Sequence, residues 1–125
     1  QYADLAEKYT ADAEYAPGTV LVFGGTAEVT VNAVDADPKV AGVVSTDPGF
    51  IMNEGLKADH VAVLALTGRV PCKVKGPVKK GDVLVSNGDG TARVEYAPAA
   101  GTIIGKALEN LEANEGVIEV VIGRF

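Results

Sequence analysis

His60 is the only histidine in the chain, and Ser45, Asp47 and Asp59 are the groups that could complete a Ser-His-Asp set with it. Such a set needs its serine on a sharp exposed turn, and no Gly-x-Ser-x-Gly elbow surrounds Ser45. A metal site built on His60 would need further ligands at short spacing, but Cys72 is the only cysteine and the acids are scattered. His60 stands beside Asp59 at the start of an apolar run and reads as a surface or capping residue. Gly24-Gly25-Thr26 lacks the Gly-Lys-Ser/Thr continuation of a phosphate loop. Asn87-Gly88-Asp89-Gly90 lacks the carboxylate that closes a calcium loop at its twelfth position. Both read as turns, because Gly and Asn accept positive φ at little cost. Arg69, Lys73, Lys75, Lys79 and Lys80 form a basic patch without the interleaved aromatics that stack on single-stranded nucleic acid. The expectation is a chain with no catalytic residue, no cofactor and no metal.

With 125 residues, nearly half apolar, the chain is long enough for one domain with a genuine core. Tryptophan is absent, glycine is abundant, and Val, Ile and Leu lead the apolar set, a composition suited to short strands and tight turns. The net charge of −6 argues against general nucleic-acid binding. Residues 1–38 hold seven acids against Lys8 alone, whereas residues 39–82 hold seven bases against four acids. The first block could therefore meet the second on a neighbouring copy, or both could be solvated surface. A lone cysteine allows no internal disulfide, and no apolar run approaches the roughly 20 residues that span a bilayer. The polar opening Gln1–Lys8 carries no signal-peptide pattern, and a first residue other than Met fits a processed or trimmed product.

The elements that must position any site are strands, and they repeat. Gly18-Thr19-Val20-Leu21-Val22 returns as Gly81-Asp82-Val83-Leu84-Val85, and Val40-Ala41-Gly42 as Ile103-Ile104-Gly105, both 63 residues on. Val61–Arg69 returns near Gly116–Arg124, with its Gly-Arg pair displaced by 55. This predicts an all-β, internally duplicated barrel or sandwich over 16–125, with repeats at about 16–69 and 79–125. Strands are expected at 19–23, 27–34, 39–45, 60–66, 70–74, 82–86, 91–96, 102–108 and 117–122. Pro71 suggests an edge position for its strand. Residues 1–15 form an N-terminal arm, and Tyr2, Leu5 and Tyr9 at i, i+3 and i+7 predict a short helix over 2–15 that must dock to persist. Val61–Leu66 and Val117–Ile122 carry apolar residues on both faces, Glu119 excepted, so each needs two covers. One cover is expected from a second copy, through Val61, Val63, Leu64, Leu66, Val117 and Val121, with Tyr2, Leu5 and Tyr9 as arm contacts.

Several phrases together resemble a known family. They are Tyr2–Glu7, Val40–Ser45 followed by Asp47-Pro48 and Asn53, Val63–Val70, Lys80–Val85, and Ile104–Glu109. Their order is similar to the C-terminal, peptidase G2-like module of tailed-phage fibre and neck-appendage proteins, some of them autoproteolytic chaperone domains. The second half also resembles small phage capsid-decoration proteins. Both resemblances imply a β-rich homotrimer on a virion, made in the host cytoplasm, whose partners are itself and other virion proteins. No cleavage-site pattern is present, so no catalytic residue carries over. The rival readings are an autoproteolytic chaperone with Ser45 as nucleophile, a carbohydrate-binding fibre-tip module, and the subunit of an extracellular filament.

Overall fold

In the computed structural model, residues 3–123 are described, and they form ten strands with no helix among them. The strands are β1 (Asp4–Thr10), β2 (Val20–Phe23), β3 (Val29–Val31), β4 (Val40–Val44), β5 (Phe50–Met52), β6 (Val61–Lys75), β7 (Val83–Ser86), β8 (Ala92–Val94), β9 (Gly105–Ala107) and β10 (Glu115–Ile122). The all-β architecture expected from the sequence is what the chain adopts.

Two rings share β6. The C-terminal part of β6 pairs with β10, β10 with β9, β9 with β7, β7 with β8, and β8 returns to β6 at Val74. This closed five-stranded ring is barrel 2. The N-terminal part of β6 pairs with β4 and β1, β4 with β2, and β2 with β3. A bridge between Ala11 and Val29 closes this second ring, barrel 1. Closure leaves few bare strand edges, which is how a chain of this size satisfies its backbone without helices.

The pairing registers of the two rings match. Val20 faces Val43 as Val83 faces Lys106, and Leu21 faces Val31 as Leu84 faces Val94. The closing bridge Ala11 to Val29 becomes Val74 to Ala92. These partners all lie 63 residues apart. On the fourth strand Val43 faces Ala65 as Lys106 faces Val121, so that strand corresponds at 56, one residue from the spacing its Gly-Arg pair suggests. The buried residues follow suit: Leu21 and Leu84, Val29 and Ala92, Val44 and Ala107, Leu64 and Val120 occupy equivalent core places. So do Gly42 and Gly105. A Cβ on Gly42 would sit 2.3 Å from the Ala65 carbonyl oxygen, and one on Gly105 2.0 Å from that of Val121. Each glycine lets its strand close against the long strand beside it.

Four expectations change. Residues 4–10 are a strand and not a helix, because the segment pairs with β6 along its whole length and with β5 on its other edge. Leu5 and Tyr9 are four residues apart, a spacing that suits one face of a strand as well as one face of a helix, and the extra residue at the register shift, Leu66, lies on β6. The runs 60–66 and 70–74 are one strand that continues through Gly68 (φ +93°). Leu64, expected on an outer face, is fully buried, because it shares its parity with Ala62 and points into barrel 1. Pro71 sits inside β6 without breaking it. It has the parity of Lys73, whose N–H turns to the Gly18 carbonyl, so the missing donor falls on the side away from β10. β5 lies in the loop that makes the first half longer.

A polar seam joins the barrels. The Asn32 carboxamide, 1% exposed, donates to the Val20 carbonyl (2.7 Å) and accepts the Gly88 N–H (2.9 Å). Buried Ser86 accepts the Asp37 N–H and donates to the Val34 carbonyl. Arg93 grips Asp35 with Nε and Nη2 at 2.7 and 2.8 Å and reaches Glu95 with Nη1. These hydrogen bonds hold the Asp35 carboxyl below the ordinary carboxylate value. Asn32→Leu leaves the Gly88 N–H without its acceptor and should cost about 2–3 kcal/mol in urea unfolding. Arg93→Ala should cost no more than about 1 kcal/mol, because Asp35 is largely solvated. Asp35 is depressed in the folded state, so its stabilisation is present above the ordinary carboxylate value. The Arg93→Ala deficit should therefore vanish as pH falls through the folded value. A deficit that persists unchanged in acid would show that the pair is not its source.

Candidate functional site

The groups singled out for chemistry do not converge. Ser45 lies buried just beyond β4, its N–H donating to the Val63 carbonyl and its hydroxyl without a partner. His60 is exposed ahead of β6, near Asp12 and beside a shallow depression lined by Glu14 and Asp59. Among the described residues no three His, Cys, Asp or Glu side chains gather as metal ligands. Asp4 is also buried with both carboxylate oxygens unpartnered, but it lies opposite Gly68, whereas Ser45 lies beside Val63. The two orphans thus sit at different ends of the barrel 1 part of β6. The basic patch is largely matched within the chain. Arg69 pairs with Glu119 at 3.1 Å, Lys75 with Glu115, and Lys73 donates to Thr19.

One concavity is lined by apolar side chains and glycines. A groove of about 530 Å³ opens at the end of barrel 1, where Tyr9, Ala41 and Leu66 come to the surface. Phe23, Pro38 and Val40 flank it on one side, and Ile103, Ile104, Ile122 and Gly123 of the second half on the other. Tyr9 and Phe23 meet edge to face, with ring centroids 5.5 Å apart and planes at 75°. Burial, reinforced by the Glu7 carboxylate, raises the Tyr9 phenol above its ordinary pKa. Glu7 stands one strand repeat from Tyr9 on the same face of β1 and opposite Leu64, so it too points into the mouth of barrel 1.

The groove exists because equivalent positions in the two barrels differ. Cys72, Ile104 and Ile122 are buried at the corresponding end of barrel 2, whereas Tyr9, Ala41 and Leu66 are only half-buried. Ser86, equivalent to Phe23, is enclosed in the seam, while Phe23 is 42% exposed.

Of the residues expected at an interface, Leu66 lines the groove, Val61, Val63 and Val121 are half-buried, and Val117 is 61% exposed. Leu5 is half-buried on β1, and Tyr2 lies outside the described residues. Sequence reading missed Phe23, Val40 and Ile103. Only Phe23 left a signal in the duplication, where the second copy carries a serine at the aligned place; Val40 and Ile103 are each other's counterparts and both apolar.

Burial pushes the Cys72 thiol up to about 12. The protonated thiol therefore favours the fold below the ordinary thiol range, and this contribution is lost as pH rises toward the folded value. The thiol should resist a disulfide reagent at about pH 8 in the native protein and react once urea unfolds it. Rapid labelling of the native chain would instead place the sulfur at an accessible surface.

No protein-family model and no curated protein matches this chain. Among solved structures it is similar to the head fiber gp8.5 N base of bacteriophage phi29. The TM-score is 0.56 at 18% identity, over 99% of this chain and 92% of that one. The likeness is one of fold, and it extends through both barrels rather than one.

Proposed function

We propose that this chain is a non-enzymatic structural protein of a tailed-phage virion, a capsid-decoration or fibre module that works by homo-oligomeric assembly, as a trimer. The observation that carries this reading is the whole-chain similarity in fold to the phi29 head-fiber base. A shared barrel alone says little about function, since one fold hosts many. Here the similarity covers both barrels of a two-barrel chain, and the groups that could do chemistry lie apart.

The surface supports an associative role. Val117, Phe50, Val34, Tyr96 and Phe23 are all large apolar side chains left exposed. Val117 lies on the outer side of β10 opposite Lys73, with Glu115 and Glu119 on the same face. An apolar residue rimmed by matched charges suits a contact that excludes water at its centre. The protein acts on the particle, after synthesis in the host cytoplasm.

Sedimentation equilibrium of the pure chain should return three times its 12.8 kDa mass. Immunogold labelling of purified particles should mark the virion surface. A monodisperse monomer at about 100 µM would defeat the assembly reading, since stable homo-oligomers hold together far below that concentration. Unlabelled particles would defeat the location.

A further inference from the structure

We propose that Asn87 is a self-modification site that cyclises on Gly88 and loses its amide, and that the buried Asn32 side chain holds this reaction off while the seam between the barrels stays shut. The site is internal to one chain and stands whatever the chain assembles with.

Of the five asparagines only Asn87 precedes a glycine, and of the aspartates only Asp89 does. Glycine has no side chain to screen its nitrogen from the carboxamide or carboxyl before it, so these dipeptides are the ones most prone to close into a succinimide. Both lie in the hairpin loop between β7 and β8. The fold imposes their glycines. Gly88 and Gly90 hold φ of +88° and +86°, where other residues are strained. A Cβ on Gly90 would also come 3.2 Å from a Val31 methyl. The matching turn of the first copy, Gly24-Gly25-Thr26-Ala27, has neither asparagine nor aspartate, so only barrel 2 carries the reactive pairs.

Cyclisation needs the Gly88 nitrogen to give up its proton to solvent base and attack Asn87 Cγ. A C–N bond forms, the Cγ–Nδ2 bond breaks, and the amide leaves as ammonia. Water then opens the ring at either carbonyl, which puts aspartate or isoaspartate at 87. In the closed seam that nitrogen is engaged, because its N–H donates to Asn32 Oδ1 at 2.9 Å. The Asn32 carboxamide is 1% exposed, and its Nδ2 on the Val20 carbonyl at 2.7 Å fixes its orientation. The Asn32 main-chain carbonyl accepts the Gly90 N–H at 3.1 Å, and the Asp89 carboxylate is drawn to the Thr91 N–H and hydroxyl. One residue of barrel 1 therefore holds both reactive nitrogens of the barrel 2 loop. The reaction runs one way. Isoaspartate lengthens the main chain by a carbon between 87 and 88, which carries the Gly88 N–H away from Asn32. Either product puts a new carboxylate opposite Asp35, the bridge partner of residue 87, and against the Asp89 carboxylate that the Asn87 side chain now bonds. A seam that opens long enough to react cannot close again in the same register.

The test is the rate of deamidation at Asn87 in the full chain, read by peptide mass spectrometry after incubation in mildly alkaline buffer. In guanidinium the unfolded chain should lose the Asn87 amide ahead of its other four asparagines, and the native chain should lose it at least about tenfold more slowly. Asn32→Leu removes the acceptor and should speed the native reaction by at least about tenfold. Leu64→Ala weakens the barrel 1 core but leaves the clamp in place, so it should speed the reaction far less. Should Asn32→Leu not fold, the unsubstituted chain still decides. Guanidinium below the unfolding transition should then raise hydrogen exchange at the Gly88 amide and deamidation at Asn87 by the same factor, since both need the same opening. A native rate equal to the unfolded one, an Asn32→Leu rate no higher than that of Leu64→Ala, or exchange and deamidation that respond by different factors overturns the clamp. An unfolded chain that keeps Asn87 intact overturns the site itself.

Discussion

One strand serves two barrels, and every other feature of the molecule follows from that sharing. β6 is 15 residues long, and its N-terminal part closes barrel 1 while its C-terminal part closes barrel 2. The change of duty happens at Gly68. A Cβ there would lie 2.3 Å from the Ala3 carbonyl oxygen and 2.8 Å from the Asp4 Cα. With φ at +93° the position also lies in the region that side chains avoid. Glycine lets β1 and the end of β10 reach the same point on β6. The rings cannot be pulled apart without stripping one of them of a wall, so the chain behaves as one cooperative body despite its two cores.

The seam between the barrels is polar and the junction beside it apolar. Asn32, Ser86 and Asp37 are buried and hydrogen-bonded, which fixes how the 32–37 loop meets the 86–91 turn. Such groups cost stability if one partner is lost, and they reject alternative packings for the same reason. The apolar junction supplies burial without direction. Together they set the relative placement of two barrels whose pairing registers are the same but whose surroundings are not.

That difference in surroundings is where function enters. Equivalent places in the two barrels hold Cys72 and Tyr9, Ile104 and Ala41, Ser86 and Phe23. In each case the first of the pair is small enough or apolar enough to be enclosed, while the second leaves a mouth open or a ring exposed. A groove formed where a repeated unit lacks the neighbour its sibling has is a natural place for another molecule.

Much of this was legible in the sequence alone. The recurring Gly18–Val22 and Gly81–Val85, with Gly42 and Gly105 behind them, announce a repeated all-β unit, because strand pairing depends on local alternation and on where glycine stands. Three things needed the tertiary structure. β1 carries apolar residues in a helix-like spacing, and only pairing with β6, with a shifted register at Leu5, makes it a strand. Leu64 and Val121 are both apolar residues in apolar runs, and only the direction of the pleat decides that one is core and the other partly bare. The groove joins Tyr9 to Ile122 across most of the chain. Local sequence sets the parity and turns of each strand, but which face finds a cover depends on contacts between distant segments, and those exist only once the rings have closed.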